Sequence, residues 1–116
     1  MLRTVLKSKI HRARVTQAHL YYEGSITIDD ALMKAADLIE HEKVEVFNLN
    51  TGSRLETYCI AGEAGSGVIC LNGPAARGAH EGDEIIIVSY VHLDEKEACS
   101  LRPKLIKVDA ANRIRD

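Results

Sequence analysis

The sequence predicts a mainly β domain, a small closed β-barrel with one or two short helices, and three observations carry that expectation. Short runs of aliphatic and β-branched residues recur between turn signals, residues 44–49 and 55–61 foremost among them. Only one stretch, opened by Asp29-Asp30, has the 3.6-residue spacing of an amphipathic helix. The chain has 116 residues with no Trp and one Phe, enough for one domain around an aliphatic core and too little for two. About seven short strands would leave apolar edges exposed unless the sheet closes on itself.

Taken in order, residues 3–10 and 12–18 read as extended, since Val5, Leu6, Ile10 and Val15 are aliphatic and Thr and Val favour strands. The parity changes near Ile10. Lys7, Lys9 and His11 fall on one face of a regular strand and Arg12 and Arg14 on the other, which predicts a bulge at 10–12. Arg3, Lys7, Lys9, Arg12 and Arg14 precede any acidic residue, the pattern of a solvated or edge strand whose charges resist aggregation, or of an anion site. Ile26 and Ile28 then alternate with Ser25 and Thr27 as in a strand. Asp29-Asp30 caps the helix that follows, with Leu32, Ala35, Ala36 and Ile39 on its apolar face and an end near His41.

Residues 44–49 alternate strictly, and Thr51-Gly52-Ser53 makes a hairpin turn into a return strand at 55–61. Alternation along that strand puts Thr57 and Cys59 on one face and Tyr58 on the other. The glycine-rich turn at 62–67 lacks the lysine and the helix of a phosphate loop and reads as a connector. Residues 68–71 form a short buried strand that ends in the small-residue loop Asn72-Gly73-Pro74-Ala75-Ala76, where backbone can approach a ligand closely. After the turn Glu81-Gly82-Asp83, residues 84–88 are apolar without alternation, as in a central strand buried on both faces. A strand at 105–108 completes the set, and 110–116 reads as a frayed tail.

Composition removes several classes of function. A net charge of −2 gives no overall pull toward nucleic acid or anionic membrane. No apolar run approaches the roughly 18 residues of a spanning helix, and the N-terminus lacks a signal peptide's apolar core, so a cytoplasmic protein with no membrane partner is expected. Cys59, Cys70 and Cys99 are odd in number and never form a C-x-x-C pair, which argues against a disulfide framework and a zinc site. Cys59 and Cys70 read as small core residues. His11, His19, His41, His80 and His92 show no metal spacing, so no metal is expected, and the last four read as surface or turn histidines. A barrel that binds nucleic acid or protein through its basic first strand would need a concentrated basic face, and acidic residues dilute the charge everywhere after position 22.

The bond between Gly24 and Ser25 carries a chemical possibility. Glycine can hold backbone angles that expose its carbonyl, and the Ser25 hydroxyl lies one bond further along. Attack by that hydroxyl on the Gly24 carbonyl would turn the amide into an ester, and elimination from the ester would leave a chain beginning with dehydroalanine, which hydrolyses to a pyruvoyl ketone. Gly52-Ser53 and Gly65-Ser66 repeat the dipeptide, so the pair alone says little.

The surroundings say more. The opening Met1-Leu2-Arg3-Thr4-Val5-Leu6-Lys7-Ser8-Lys9-Ile10-His11-Arg12, the site Tyr22-Glu23-Gly24-Ser25, Arg54 with Thr57-Tyr58, and Leu71-Asn72-Gly73 together resemble the pyruvoyl-dependent aspartate 1-decarboxylase family over nearly the whole chain. The resemblance implies a double-psi β-barrel, a homotetramer, and decarboxylation of L-aspartate to β-alanine for pantothenate biosynthesis. It also implies one domain over 1–116 that cleaves itself autocatalytically into fragments 1–24 and 25–116.

Residue by residue, Ser25 resembles the position that becomes the pyruvoyl cofactor, and Gly24 would end the small fragment. Thr57 resembles the hydroxyl that holds the oxyanion during cleavage, and Tyr58 the proton donor to the substrate's α-carbon. Lys9 and Arg54 resemble the groups that bind the substrate carboxylates, with Gly73 and Ala75 as backbone contacts and His11, Tyr22 and Asn72 around them. A Schiff base to a pyruvoyl ketone would withdraw electrons as the carboxylate departs, and two cations suit a substrate with two carboxylates. Pro74 departs from the alanine usual in the family and has no N–H to offer a substrate.

Overall fold

The computed structural model describes residues 1–116. The basic opening run becomes strand β1 (Leu2–Arg14), with irregular register between Leu6 and Ser8 and between Ile10 and Ala13. The second irregularity is the expected bulge, and Arg12 sits in it at φ 62°. The chain continues through β2 (Gln17–His19), β3 (Ser25–Asp29), α1 (Asp30–Ala35), β4 (Lys43–Asn48), β5 (Arg54–Gly62), β6 (Ile69–Asn72), a 3₁₀ turn (Gly73–Gly78), β7 (Glu84–Asp94), α2 (Glu95–Ser100), β8 (Lys104–Val108) and β9 (Ile114–Arg115). Nine strands therefore replace the expected seven or so, and two of them are long. β7 runs past Val88 because it pairs with β1 along its whole length, from Leu2 opposite Asp94 to Arg14 opposite Glu84.

The strands hydrogen-bond in the order β2-β6-β3-β5-β4-β7-β1-β8-β9, with β1/β8, β2/β6 and β3/β5 parallel and the remaining pairs antiparallel. The sheet coils around one aliphatic core in which Ile10, Ile26, Ile28, Leu71 and Ile85 are fully buried. Cys59 and Cys70 belong to the interior as expected, and burial, followed by the charge of Glu42, pushes the Cys59 thiol up to about 11.

Four expectations need correction. β1 is not an edge strand: it lies between β7 and β8, and its cations find carboxylates, Arg3 on Glu95, Lys7 on Glu42, and Arg12 and Arg14 on Glu84. Helix α1 is capped by Asp29, whose carboxylate accepts the Ala31 N–H at 2.8 Å, but it ends at Ala35 and not near His41. Asp37 takes the left-handed conformation at φ 58°, its N–H bonds the Lys34 carbonyl and that of Leu38 bonds Met33, which is the chain reversal usually made by glycine. Ile39 is consequently exposed and Met33 is buried in its place.

Strand β7 is buried on both faces only from Ile87 through Val88 to Ser89; before that Ile85 is buried while Glu84 and Ile86 on the other face are partly exposed. The tail is ordered at Asn112, which is buried. Its amide donates to the carbonyls of Arg14 and Gly67 at 2.8 Å each and accepts the Arg14 N–H at 2.7 Å. That side chain ties the end of β1 to the glycine-rich turn. The turn in turn gives the N–H groups of Gly65 and Gly67 to Asp29.

Candidate active site

Ser25 begins β3, and antiparallel pairing sets it directly opposite Asn72 at the end of β6. The two side chains meet. Asn72 Nδ2 donates to Ser25 Oγ at 2.9 Å and to Thr27 Oγ1 at 3.0 Å, while the Cys70 thiol donates to Asn72 Oδ1 at 3.2 Å. Ser25 is 3% exposed, so its hydroxyl is held in a largely water-free place by one donor. Thr27 and Cys70 were not singled out from sequence, although each lies two residues from a site residue and therefore on the same strand face.

The next residue brings the two segments into contact. Gly73 has φ +66°, and a Cβ there would lie 2.7 Å from the Tyr22 carbonyl oxygen and 2.9 Å from both Cα and N of Gly24. Only glycine fits. Gly24 itself holds no left-handed angle, and a Cβ on it would make an ordinary 3.6 Å contact with Pro74 Cδ, so the demand for glycine lies at 73 and not, as expected, at 24.

Parallel pairing of β3 with β5 sets Ile26 beside Cys59, and continuing that register by two residues brings Gly24 level with Thr57. Gly24, Thr57, Tyr58, Pro74 and Ala75, with Leu55 and Glu56, line a cavity of 340 Å³. Thr57 is half-buried and Tyr58 lies on the other face, 41% exposed, as alternation required. The Tyr58 ring is tilted 60° to that of His41 with centroids 6.2 Å apart. Arg54 shares the outer face of β5 and stacks its guanidinium over Phe47, 4.2 Å from the ring centroid. Tyr22 is 66% exposed, with its ring 6.2 Å from that of His19 and its carbonyl against Gly73.

Lys9 and His11 lie elsewhere. In the hydrogen-bonded order β1 is separated from β3 by β5, β4 and β7, and both residues border a cleft against Leu105, Ile106 and Lys107 of β8. Lys9 makes no ion pair, whereas Lys7 is held by Glu42 at 2.8 Å. His11 Nδ1 is buried without a hydrogen-bond partner. Burial, followed by the charges of Lys9, Arg12, Lys107 and Arg115, holds the His11 imidazole below its ordinary 6.5. Of the expected residues, a single chain thus brings together Gly24, Ser25, Thr57, Tyr58, Asn72, Gly73 and Ala75, puts Lys9 and His11 at a separate cleft, and leaves Arg54 and Tyr22 outside the cavity lining.

Residues 1–115 match the family described as Aspartate decarboxylase. The chain is 58% identical over 110 residues to the aspartate 1-decarboxylase of Cytophaga hutchinsonii, spanning 95% of this chain and 96% of that protein. It is 57% identical over 113 residues to that of Syntrophobacter fumaroxidans, spanning 97% and 91%, and 56% identical over 115 residues to that of Syntrophus aciditrophicus, spanning 99% of each. Among solved structures, the computationally designed double-psi β-barrel msDPBB_sym2 superposes with a TM-score of 0.51 at 18% identity over 77% of this chain and 100% of its own. The rationally designed mkDPBB_sym_86 gives 0.50 at 18% identity over 70% and 94%. The fold is a double-psi β-barrel.

Proposed function

The chain belongs to the aspartate decarboxylase family, and from that premise we propose that it cuts itself between Gly24 and Ser25 and carries the resulting pyruvoyl group at the head of fragment 25–116. The reaction it catalyses is decarboxylation of L-aspartate to β-alanine and carbon dioxide, which supplies pantothenate synthesis. The observation that carries the self-cleavage is the buried Ser25 hydroxyl, held by Asn72 beside Gly24.

Cleavage needs no outside reagent except water. Ser25 Oγ bonds to the Gly24 carbonyl carbon, the Gly24–Ser25 C–N bond breaks, and the hydroxyl proton ends on the freed amine. Transfer of the Ser25 α-proton to water as base then breaks the Cβ–Oγ bond, and Gly24 leaves as a carboxylate. The dehydroalanine left behind takes up water and releases ammonia, which makes the ketone. Thr57, level with Gly24, is the hydroxyl suited to hold the oxyanion of the first step.

The pyruvoyl ketone supplies the electron sink for loss of the substrate's carboxylate. The chain's own residues do the rest: Arg54 and Lys9 pair with the two carboxylates, Ala75 in the cavity lining and Gly73 just before it offer backbone contacts, and Tyr58 returns a proton to the α-carbon. Lys9 and His11 border a different cleft from the Gly24 cavity, which supports a second copy bringing its own pair there, as in the homotetramer the family implies. A cytoplasmic location accords with a soluble amino-acid substrate.

Intact mass of the purified protein tests the reading. Two fragments, 1–24 and a pyruvoyl-blocked 25–116, are expected, with Ser25→Ala whole and inactive. A single uncut chain with full decarboxylase activity would overturn it.

A further inference from the structure

We propose that Pro74 is a positioning residue for the self-cleavage, acting through Gly24 with a rigid ring where other contacts use hydrogen bonds. The proposal rests on the reading that the Gly24–Ser25 bond is cut. Three consecutive residues grip the segment to be cleaved: Asn72 holds Ser25 Oγ at 2.9 Å, Gly73 admits the Tyr22 carbonyl and the Gly24 N–H side, and Pro74 covers the remaining face of Gly24. Apart from Gly24's own chain neighbours, its Cδ is the one atom within 4 Å that a Cβ on Gly24 would meet, at 3.6 Å. Gly24 and Pro74 both line the 340 Å³ cavity, so the ring limits movement of the scissile peptide on that side.

The turn that carries Pro74 explains why a proline suits the place. Asn72 occupies the capping position of the 3₁₀ turn, yet its side chain makes no capping bond: its Oδ1 accepts from the Cys70 thiol while its Nδ2 donates to Ser25 and Thr27. A proline at the start of the turn has φ already set and lacks an N–H that would otherwise go unpaired, so it orders the turn where the cap cannot. Pro74 is exposed and outside the core, so its contribution is to local order and not to packing of the barrel. Fixing one φ also lowers the conformational entropy that must be surrendered when residues 22–25 are held for attack.

Pro74→Ala and Pro74→Gly, followed by gel analysis of freshly made precursor at several temperatures, test this. Cleavage should slow about two- to fivefold in Pro74→Ala and further in Pro74→Gly. The loss should appear in the activation entropy, with the activation enthalpy as in the parent. Cleavage at or above the parent rate in both variants overturns the proposal, and so does a slowdown carried by enthalpy. A parent chain that never cleaves would sink the underlying reading instead, before the variants were compared.

Discussion

Asn72 and Ser25 stand 47 residues apart in sequence and 2.9 Å apart in space, the amide nitrogen donating to the hydroxyl oxygen. This bond orients the Ser25 hydroxyl, and Thr27 shares the same donor group at 3.0 Å. Asn72→Ala leaves both hydroxyls without their donor in a buried place, a loss of about 1–3 kcal/mol. Precursor of that variant should therefore mature about ten- to a hundredfold more slowly, read as band intensity against time. Maturation at the parent rate would show that Ser25 needs no external orientation.

Gly73 has no substitute. An alanine there would have to hold φ +66° with its methyl 2.7 Å from the Tyr22 carbonyl oxygen. The left-handed conformation alone costs about 1–2 kcal/mol, and displacement of Tyr22–Gly24 adds to it. Gly73→Ala should lower the thermal midpoint by several degrees and leave the chain uncut, whereas normal maturation would mean that the close approach is dispensable.

Thr57 and Tyr58 are neighbours on opposite faces of β5 and should fail differently. Thr57→Val removes an oxyanion donor of a kind worth roughly 10² to 10³ in rate, so uncut precursor should accumulate. Tyr58→Phe should give cleaved protein that decarboxylates aspartate slowly or loses its pyruvoyl group by transamination when the proton goes astray. A β-alanine assay at the parent rate in Tyr58→Phe would assign the proton to another acid.

Arg54→Ala should cut itself normally and bind aspartate about ten- to a hundredfold more weakly, the effect of one lost charge-assisted hydrogen bond. Lys9 offers a test of assembly. If one copy's Lys9 serves another copy's Ser25, co-expressed Ser25→Ala and Lys9→Ala chains, each inactive alone, should recover part of the activity in mixed oligomers. No recovery would place both residues in the same chain's site.

The Asp29 carboxylate closes the far end of the strand that Ser25 begins. Burial raises its pKa, but N–H groups from Gly67, Gly65 and Ala31 outweigh that and hold it below the ordinary 3.8. A depressed carboxylate contributes stability that is fully present above its unfolded pKa and is lost as pH falls through the folded one. Asp29→Asn should therefore lie below the parent in thermal midpoint by a constant margin from pH 8 to about 5, and the margin should shrink as pH drops below about 4. A margin independent of pH down to 3 would mean that the carboxylate's charge is not what holds the loop.

The amino-acid sequence by itself determined whatever depends on neighbours along the chain. The β4–β5 hairpin, the parity that separates Thr57 and Cys59 from Tyr58, the Asp29 cap and the bulge at Arg12 were all legible, because side-chain periodicity and capping act within a few residues. The chemistry of the site was legible only through likeness to a family, since no local pattern distinguishes Gly24-Ser25 from Gly52-Ser53. Tertiary structure decided the rest. Parallel pairing with β8, almost a hundred residues away, turned the basic first strand from an edge into the interior of the sheet. Lys7 reaching from β1 to the Asp37 carbonyl accompanies the early end of α1, and Asn112 fastens a tail that has no periodicity of its own. Each of these depends on which strands lie side by side when the sheet coils around its core, and that register is a property of the closed fold that no stretch of chain encodes alone.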